Sequence, residues 1–159
     1  RLKSGKAAEM EASVDITTEV NLHVPALLPA SYCSDVQERL SLYKRLADAE
    51  SRERLDLLRE ELVDRFGDLP EPARALLECH AVRLAARPLG VIRVDATHEA
   101  VQLQFMKKPP IDGARVIEFI RKRRNARLAG PEKLRVDAKM PAWQERAQAV
   151  KDILQQLGA

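Results

Sequence analysis

Two amphipathic segments with legible ends, ERLSLYKRLADAE (Glu38 to Glu50) and LREELVDRFGDLP (Leu58 to Pro70), constrain this chain most. Each carries one apolar stripe and must bury it against something, and the short link between them points to a helical hairpin. Ser34 can accept a hydrogen bond from a first-turn amide and Gln37 can reach back, a capping-box pattern that starts the first helix. Val36, Leu40, Tyr43 and Ala47 then fall on one face, with Leu46 beside them. Ser51 caps the second helix, where Leu55, Leu58, Leu62 and Phe66 repeat at helical spacing and Gly67 supplies a left-handed C-cap. Pro72 fits the first turn of a third helix with Leu76, Leu77 and Leu84 inside it, ended by Pro88 and Gly90.

Outside this helical half the period changes. Thr18 to Val24 alternates, with Val20, Leu22 and Val24 on one face and Glu19, Asn21 and His23 on the other, which is a half-buried strand. Val91 to Asp95 and Val101 to Phe105 read as strands of a hairpin around Thr97 to Ala100. Asp112 caps a fourth helix carrying Val116, Ile117 and Ile120, closed by Asn125. Ala126 to Ala129 and Lys133 to Asp137 flank Gly130-Pro131, a second hairpin. Pro141 opens a last helix that buries Trp143, Ala147, Val150, Leu154 and Leu157 and ends at Gly158. The expected class is α+β: a helical N-terminal half followed by β-β-α-β-β-α, with a small antiparallel sheet and helices on one of its faces. Residues 1–17 lack a sustained apolar face and read as a linker or the end of a preceding element, leaving 18–159 as one domain. The first residue is Arg1 rather than Met, so a fragment of something longer is expected.

Composition narrows the function classes. With 45% hydrophobic and 32% charged residues the chain is globular, and with only 4% aromatics its core must be built from Leu, Val, Ile and Ala. A formal net charge of +3 permits nucleic-acid contact without demanding it, because 24 acidic residues interleave with 27 basic ones. Cys33 and Cys79 show no metal-ligand spacing and no secretory signal precedes them, which suggests reduced thiols in a cytoplasmic protein. No apolar run is long enough to cross a membrane. There is no glycine-rich phosphate loop and no nucleophile–base pair, and His23, His80 and His98 lie on different elements. Cys79 and His80 are neighbours, but adjacent helical residues diverge by about 100°. No cofactor and no catalysis is expected.

Two charge clusters remain. Glu60, Glu61 and Asp64 sit near the C-terminal end of the second helix, where backbone carbonyls favour cations and acids cost up to about 1 kcal/mol each unless compensated. Either they form a solvated face, compensated by Arg59 or Arg65, or they dock arginines of a partner. The run Arg121, Lys122, Arg123, Arg124 and Arg127 can contact phosphates, or it can be a solvated helix end. No aromatic residues interleave with it to stack bases. Tyr43, with its hydroxyl at the rim, and Trp143 read as core anchors, with an exposed role in partner binding as the alternative for either.

The stretches RLSLYKRLA (Arg39 to Ala47) and EELVDRFGDLPEPAR (Glu60 to Arg74), preceded by EVNLHVPALLP (Glu19 to Pro29), closely resemble the C-terminal domain of bacterial transcription-repair coupling factors. The similarity is dense over residues 18–90 and thins through the hairpins. ASYCSD (Ala30 to Asp35) departs from it where the family tends to have an acidic pair and a proline. The resemblance implies a parent that is an ATP-dependent DNA translocase, acting on RNA polymerase stalled on duplex DNA and recruiting the UvrA excision-repair protein. It implies a regulatory terminal domain that docks on the UvrB-like domain of the same polypeptide, masks the recruitment surface and restrains the motor. The matching positions for docking are Glu61 and Asp64, with Glu60 beside them. On that expectation these carboxylates should not be neutralised by the domain's own arginines.

Overall fold

The computed structural model describes residues 17–158. The expected linker, residues 1–17, lies outside them except for Thr17. Strand β1 (Glu19–Asn21) leads into helices α1 (Val36–Asp48), α2 (Arg52–Phe66) and α3 (Glu71–Ala86). A short 3-10 turn, β2 (Val91–Ala96), β3 (Ala100–Phe105), α4 (Gly113–Lys122), β4 (Ala126–Leu128), β5 (Lys133–Asp137) and α5 (Trp143–Gly158) follow. The strands form one five-stranded sheet in the order β1-β2-β3-β5-β4. The class is α+β, but the sheet is mixed rather than antiparallel throughout, because β1 lies parallel to β2. The three helices α1–α3 are thus the crossover between parallel neighbours. Buried Thr18 donates its hydroxyl to Val91 O at 2.7 Å and pins this long-range pairing.

One sheet face is polar and open to solvent, with Glu19, Arg93, Gln104 and Lys133 aligned across four strands. The other carries Val94, Leu103, Leu134 and Val136 into a core closed by α3, α4 and α5. A second core lies between α1, α2 and α3 and holds Leu42, Leu46, Leu55, Leu58 and Leu62. Helix α3 belongs to both: Ala75, Val82 and Ala86 face the sheet, whereas Ala73, Leu77 and Ala81 face the helical pair. All five expected residues of α5 are buried, joined by Ile153.

Several local expectations change. Asp35, not Ser34, caps α1, accepting from Gln37 N at 2.9 Å. The buried stripe of α1 is Leu42 and Leu46, while Val36 and Leu40 are 57% and 62% exposed. In α4 the buried residue is Phe119 and Ile117 faces solvent. Asp112 caps α4 as expected, and Ser51 caps α2. Gly67 ends α2 at φ 93°, ψ −170°, a positive-φ extended conformation that is essentially glycine's alone, rather than a left-handed helical one. Tyr32 Oη lies 3.0 Å from Leu62 O and 2.7 Å from Gly67 O, so its single proton serves one of two carbonyls at the end of α2.

Because α3 is shared, the two cores should unfold together. Leu77→Ala is expected to cost about 2–5 kcal/mol. Urea unfolding read by Trp143 in the sheet core, and by near-ultraviolet dichroism of Tyr32 and Tyr43 in the helical core, should shift by the same amount. Separate midpoints would contradict the shared-helix reading.

Candidate docking surface

Helix α2 buries Leu55, Leu58 and Leu62, so the opposite side of the cylinder carries Glu53, Leu57, Glu60 and Asp64. Leu57 is 59% exposed and stands one turn before Glu60 and Glu61 and two turns before Asp64. Beside it, between the end of α1 and the start of α2, opens a cleft of about 570 Å³ lined by Arg45, Asp48, Glu50, Arg54, Leu57 and Glu61.

The three expected docking acids have different surroundings. Glu61 is engaged within the domain: Arg45 from α1 grips it with two parallel hydrogen bonds of 2.7 and 2.8 Å. Arg65, one turn further along α2, adds a third at 3.1 Å and also pairs with Glu38. The Arg45 guanidinium holds the Glu61 carboxyl below its ordinary range, and Glu61 in turn raises Arg45. The chain Arg45–Glu61–Arg65–Glu38 therefore laces α1 to α2 with alternating charge. Glu60 and Asp64 are exposed and have no hydrogen-bond or ion-pair partner among the described residues. Of the two compensating arginines expected, Arg65 reaches Glu61, whereas Arg59 turns to Glu78 on α3 at 3.9 Å. Sequence reasoning missed Arg45, which is 16 residues from Glu61. The signal available was the hairpin itself, since antiparallel helices bring the last turn of one beside the body of the next.

The basic run is dispersed over its own neighbours. Arg121 and Lys122 share Glu118 at 3.4 and 3.6 Å. Arg123 stacks on Phe119, 4.7 Å from the ring centre, and donates to Gln156. Arg127 crosses to Asp137, which also accepts from Arg135 at 2.9 Å. Arg124 alone of the five has no partner among the described residues.

Cys79 and His80 are each half-buried on α3. Burial pushes the Cys79 thiol up to about 11, with the Glu78 carboxylate adding to the rise. Burial holds His80 down to about 4, and Arg83 beside it adds to the fall while donating Nε–H to His80 Nδ1 at 3.2 Å. Thiolate and imidazolium are both disfavoured here, the opposite of what a nucleophilic pair needs. Among the described residues no group of three or more His, Cys, Asp or Glu is placed to hold a metal ion. No helix among them is long and apolar enough to cross a membrane.

The family model described as "TRCF domain" matches residues 22–116, more than half of the chain. The chain belongs to the TRCF domain family. Among its relatives, the transcription-repair-coupling factor of Haemophilus influenzae is 37% identical over 159 residues, and that of Escherichia coli K12 is 34% identical over 157. These matches span 99% and 98% of this chain but only 14% of either relative. A crystal structure titled as the C-terminal domain of transcription-repair coupling factor superposes with a TM-score of 0.72 at 24% identity, covering 89% of this chain and 93% of that one. The TRCF domain therefore corresponds to a terminal module of proteins named for coupling transcription to DNA repair, and the α+β fold matches that module.

His80 gives this TRCF domain a defined acid response. Unfolded, the ring titrates near 6.5; folded, near 4. The unfolded chain therefore binds a proton first as pH falls, and the stability linked to this group is complete above about 6.5 and drains away towards about 4. Between pH 7 and 4.5 the native chain should lose about 2 kcal/mol more than a His80→Gln variant in urea unfolding. Equal losses would refute the assignment.

Proposed function

We propose that this TRCF domain is a non-catalytic, releasable clamp. It docks through the outer face of α2 on a basic surface of its parent polypeptide, which the family resemblance implies is a UvrB-like domain. While docked it masks the surface that recruits the UvrA protein and restrains the motor; engagement of RNA polymerase and duplex DNA by the rest of the parent releases it. One observation carries the reading: exposed Leu57 is followed on the same helix face by Glu60 and Asp64, carboxylates with no internal partner.

The division of labour among the acids follows from their surroundings. Asp64 lies in the last turn of α2, against the negative end of the helix, where its charge costs up to about 1 kcal/mol. An arginine of the docking surface removes that cost, so Asp64 and Glu60 lead the contact. Glu61 is held in place by Arg45 and Arg65 and presents an already ordered edge to the same surface. An exposed pair of this kind contributes up to about 1 kcal/mol, little enough for a partner's guanidinium to share the carboxylate. A few such contacts around one apolar side chain give a clamp that holds and lets go. In the basic run of Arg121 to Arg127 four of the five side chains are already engaged within the domain, which leaves Arg124 alone for a phosphate.

Asp64→Lys separates stability from docking. It should raise the thermal midpoint of the isolated chain slightly, because a cation replaces an acid at a helix C-terminus. It should also weaken association with the isolated UvrB-like region about tenfold, with the native affinity falling as salt rises. In the full-length parent the same change should raise UvrA binding and basal ATP hydrolysis. A folded variant with unchanged affinity and unchanged ATPase would reject the clamp.

A further inference from the structure

In the sheet order β1-β2-β3-β5-β4, strand β4 is paired on one side only. Its register with β5 shows which backbone groups are left over. Asp137 N donates to Asn125 O and Ala129 N to Lys133 O, each at 2.9 Å, so the odd-numbered residues here carry the hydrogen bonds to β5. Leu128 N–H, Leu128 C=O and Ala126 C=O point the other way and have no hydrogen-bond partner among the described residues. Ala126 N–H is turned to Arg123 O at 3.4 Å, where the chain arriving from α4 closes that end of the margin. The other end is open: Arg127, Leu128 and Ala129 are exposed, Leu128 by 58%.

A row of unpaired backbone groups is a template for a further strand, and proteins blunt such margins with proline or a bulge. Strand β4 contains no proline and runs against β5 without a register shift. Its single charge is Arg127, which lies on the open sheet face in one row with Asp95, Gln102 and Arg135. On the free margin Arg127 holds a non-hydrogen-bonded position, where facing side chains approach most closely. A second copy paired antiparallel through Ala126 to Leu128 would set arginine against arginine, which is destabilising, whereas an acid at that position is attracted. The surroundings have the same sign. From Arg121 to Arg135 seven Lys and Arg stand against one acid, Glu132. Arg127 and Arg135 share the single carboxylate of Asp137, and Lys133 beside them has no side-chain partner among the described residues. Ala126 and Leu128 lie on the opposite face, level with Val136 and Leu134 of the core, so residues facing them are favoured when apolar.

We propose that the free margin of β4 is a docking edge for an extended acidic segment of a partner protein. The segment adds a sixth strand, antiparallel to β4, with a carboxylate opposite Arg127 and apolar side chains opposite Ala126 and Leu128. It exchanges two backbone hydrogen bonds with Leu128 and donates a third to Ala126 O. Backbone pairing supplies affinity, and the apolar–acidic–apolar alternation supplies selectivity. The inference is independent of the clamp, because it uses none of the residues of α2.

The 159-residue chain, labelled with nitrogen-15, is titrated with a capped peptide of alternating valine and glutamate. Two further peptides serve as comparisons: one alternates valine and lysine, and one has the first composition with its glutamates grouped at one end. Saturable shifts centred on β4 and β5 are expected with the alternating glutamate peptide. Exchange of the Leu128 amide with solvent should slow about tenfold at saturation, since the bound strand covers that N–H. Leu128→Pro removes the outward N–H and no bond to β5, so the variant should keep its fold and bind about tenfold more weakly. Arg127→Glu leaves the backbone edge intact and should reverse the preference, favouring the lysine peptide. Absence of binding by the alternating glutamate peptide, equal binding of all three peptides, binding that leaves Leu128 exchange unchanged, or an Arg127→Glu variant that keeps the original preference would overturn the proposal. So would slowing of Leu128 exchange by a single-stranded oligonucleotide and not by the peptide.

Discussion

The double duty of α3 is the constraint on which everything else rests. A helix with one apolar stripe seals one core, whereas this one presents Ala75, Val82 and Ala86 to the sheet and Ala73, Leu77 and Ala81 to the helical pair. Alanine at so many of these positions lets neighbouring backbones come close, and it favours the helical state without a side-chain entropy cost. The sequence between Glu71 and Ala86 is accordingly apolar on more than one side, which is what a helix buried between layers requires. The helical pair and the sheet are tied into one body through it, and the outer surface of α2 is held at a fixed attitude to the rest of the domain.

That fixed attitude matters to the electrostatics. The Arg45–Glu61–Arg65–Glu38 chain exists because α1 and α2 are antiparallel and packed through Leu42, Leu46, Leu58 and Leu62. It satisfies Glu61 and Glu38 and leaves Glu60 and Asp64 uncompensated. A second link runs from α3 to the end of α1, where Arg83 donates to Ala49 O at 3.2 Å and to Leu46 O at 3.3 Å, the latter also accepting from Ala49 N. Arg146 donates to Met140 O and Leu22 O, each at 2.9 Å, and sews the start of α5 to the exit of β1. Long-range arginine-to-carbonyl bonds of this kind join segments that share no secondary structure.

Much of this was legible beforehand. Every strand and α-helix was anticipated in order, because caps, proline punctuation and changes of period are local signals. The mixed sheet was not, because the pairing of Val20 with Val94 joins residues more than seventy positions apart and leaves no local mark. The faces of α1 were exchanged because it has two apolar stripes at helical spacing. Leu42 and Leu46 won over Val36, Leu40 and Ala47 through tertiary packing, which periodicity does not report. Of the candidate site, the acids at 60, 61 and 64 were visible as a cluster. Which of them the domain neutralises depended on Arg45, placed by the hairpin register and not by spacing along α2. That the buried Trp143 Nε1–H has no acceptor among the described residues was equally out of reach, since burial of a particular nitrogen is a property of the assembled core.

The short first strand has a kinetic consequence. Its three residues close a loop of about seventy, so their ordering carries a larger chain-entropy penalty than either hairpin, and they offer few hydrogen bonds in return. The hairpins and helices can assemble before this strand is added at the margin. By the same logic it is the first piece to peel away under thermal agitation, and amide exchange at Val20 and Asn21 should run far ahead of exchange at Leu103, in the middle of the sheet.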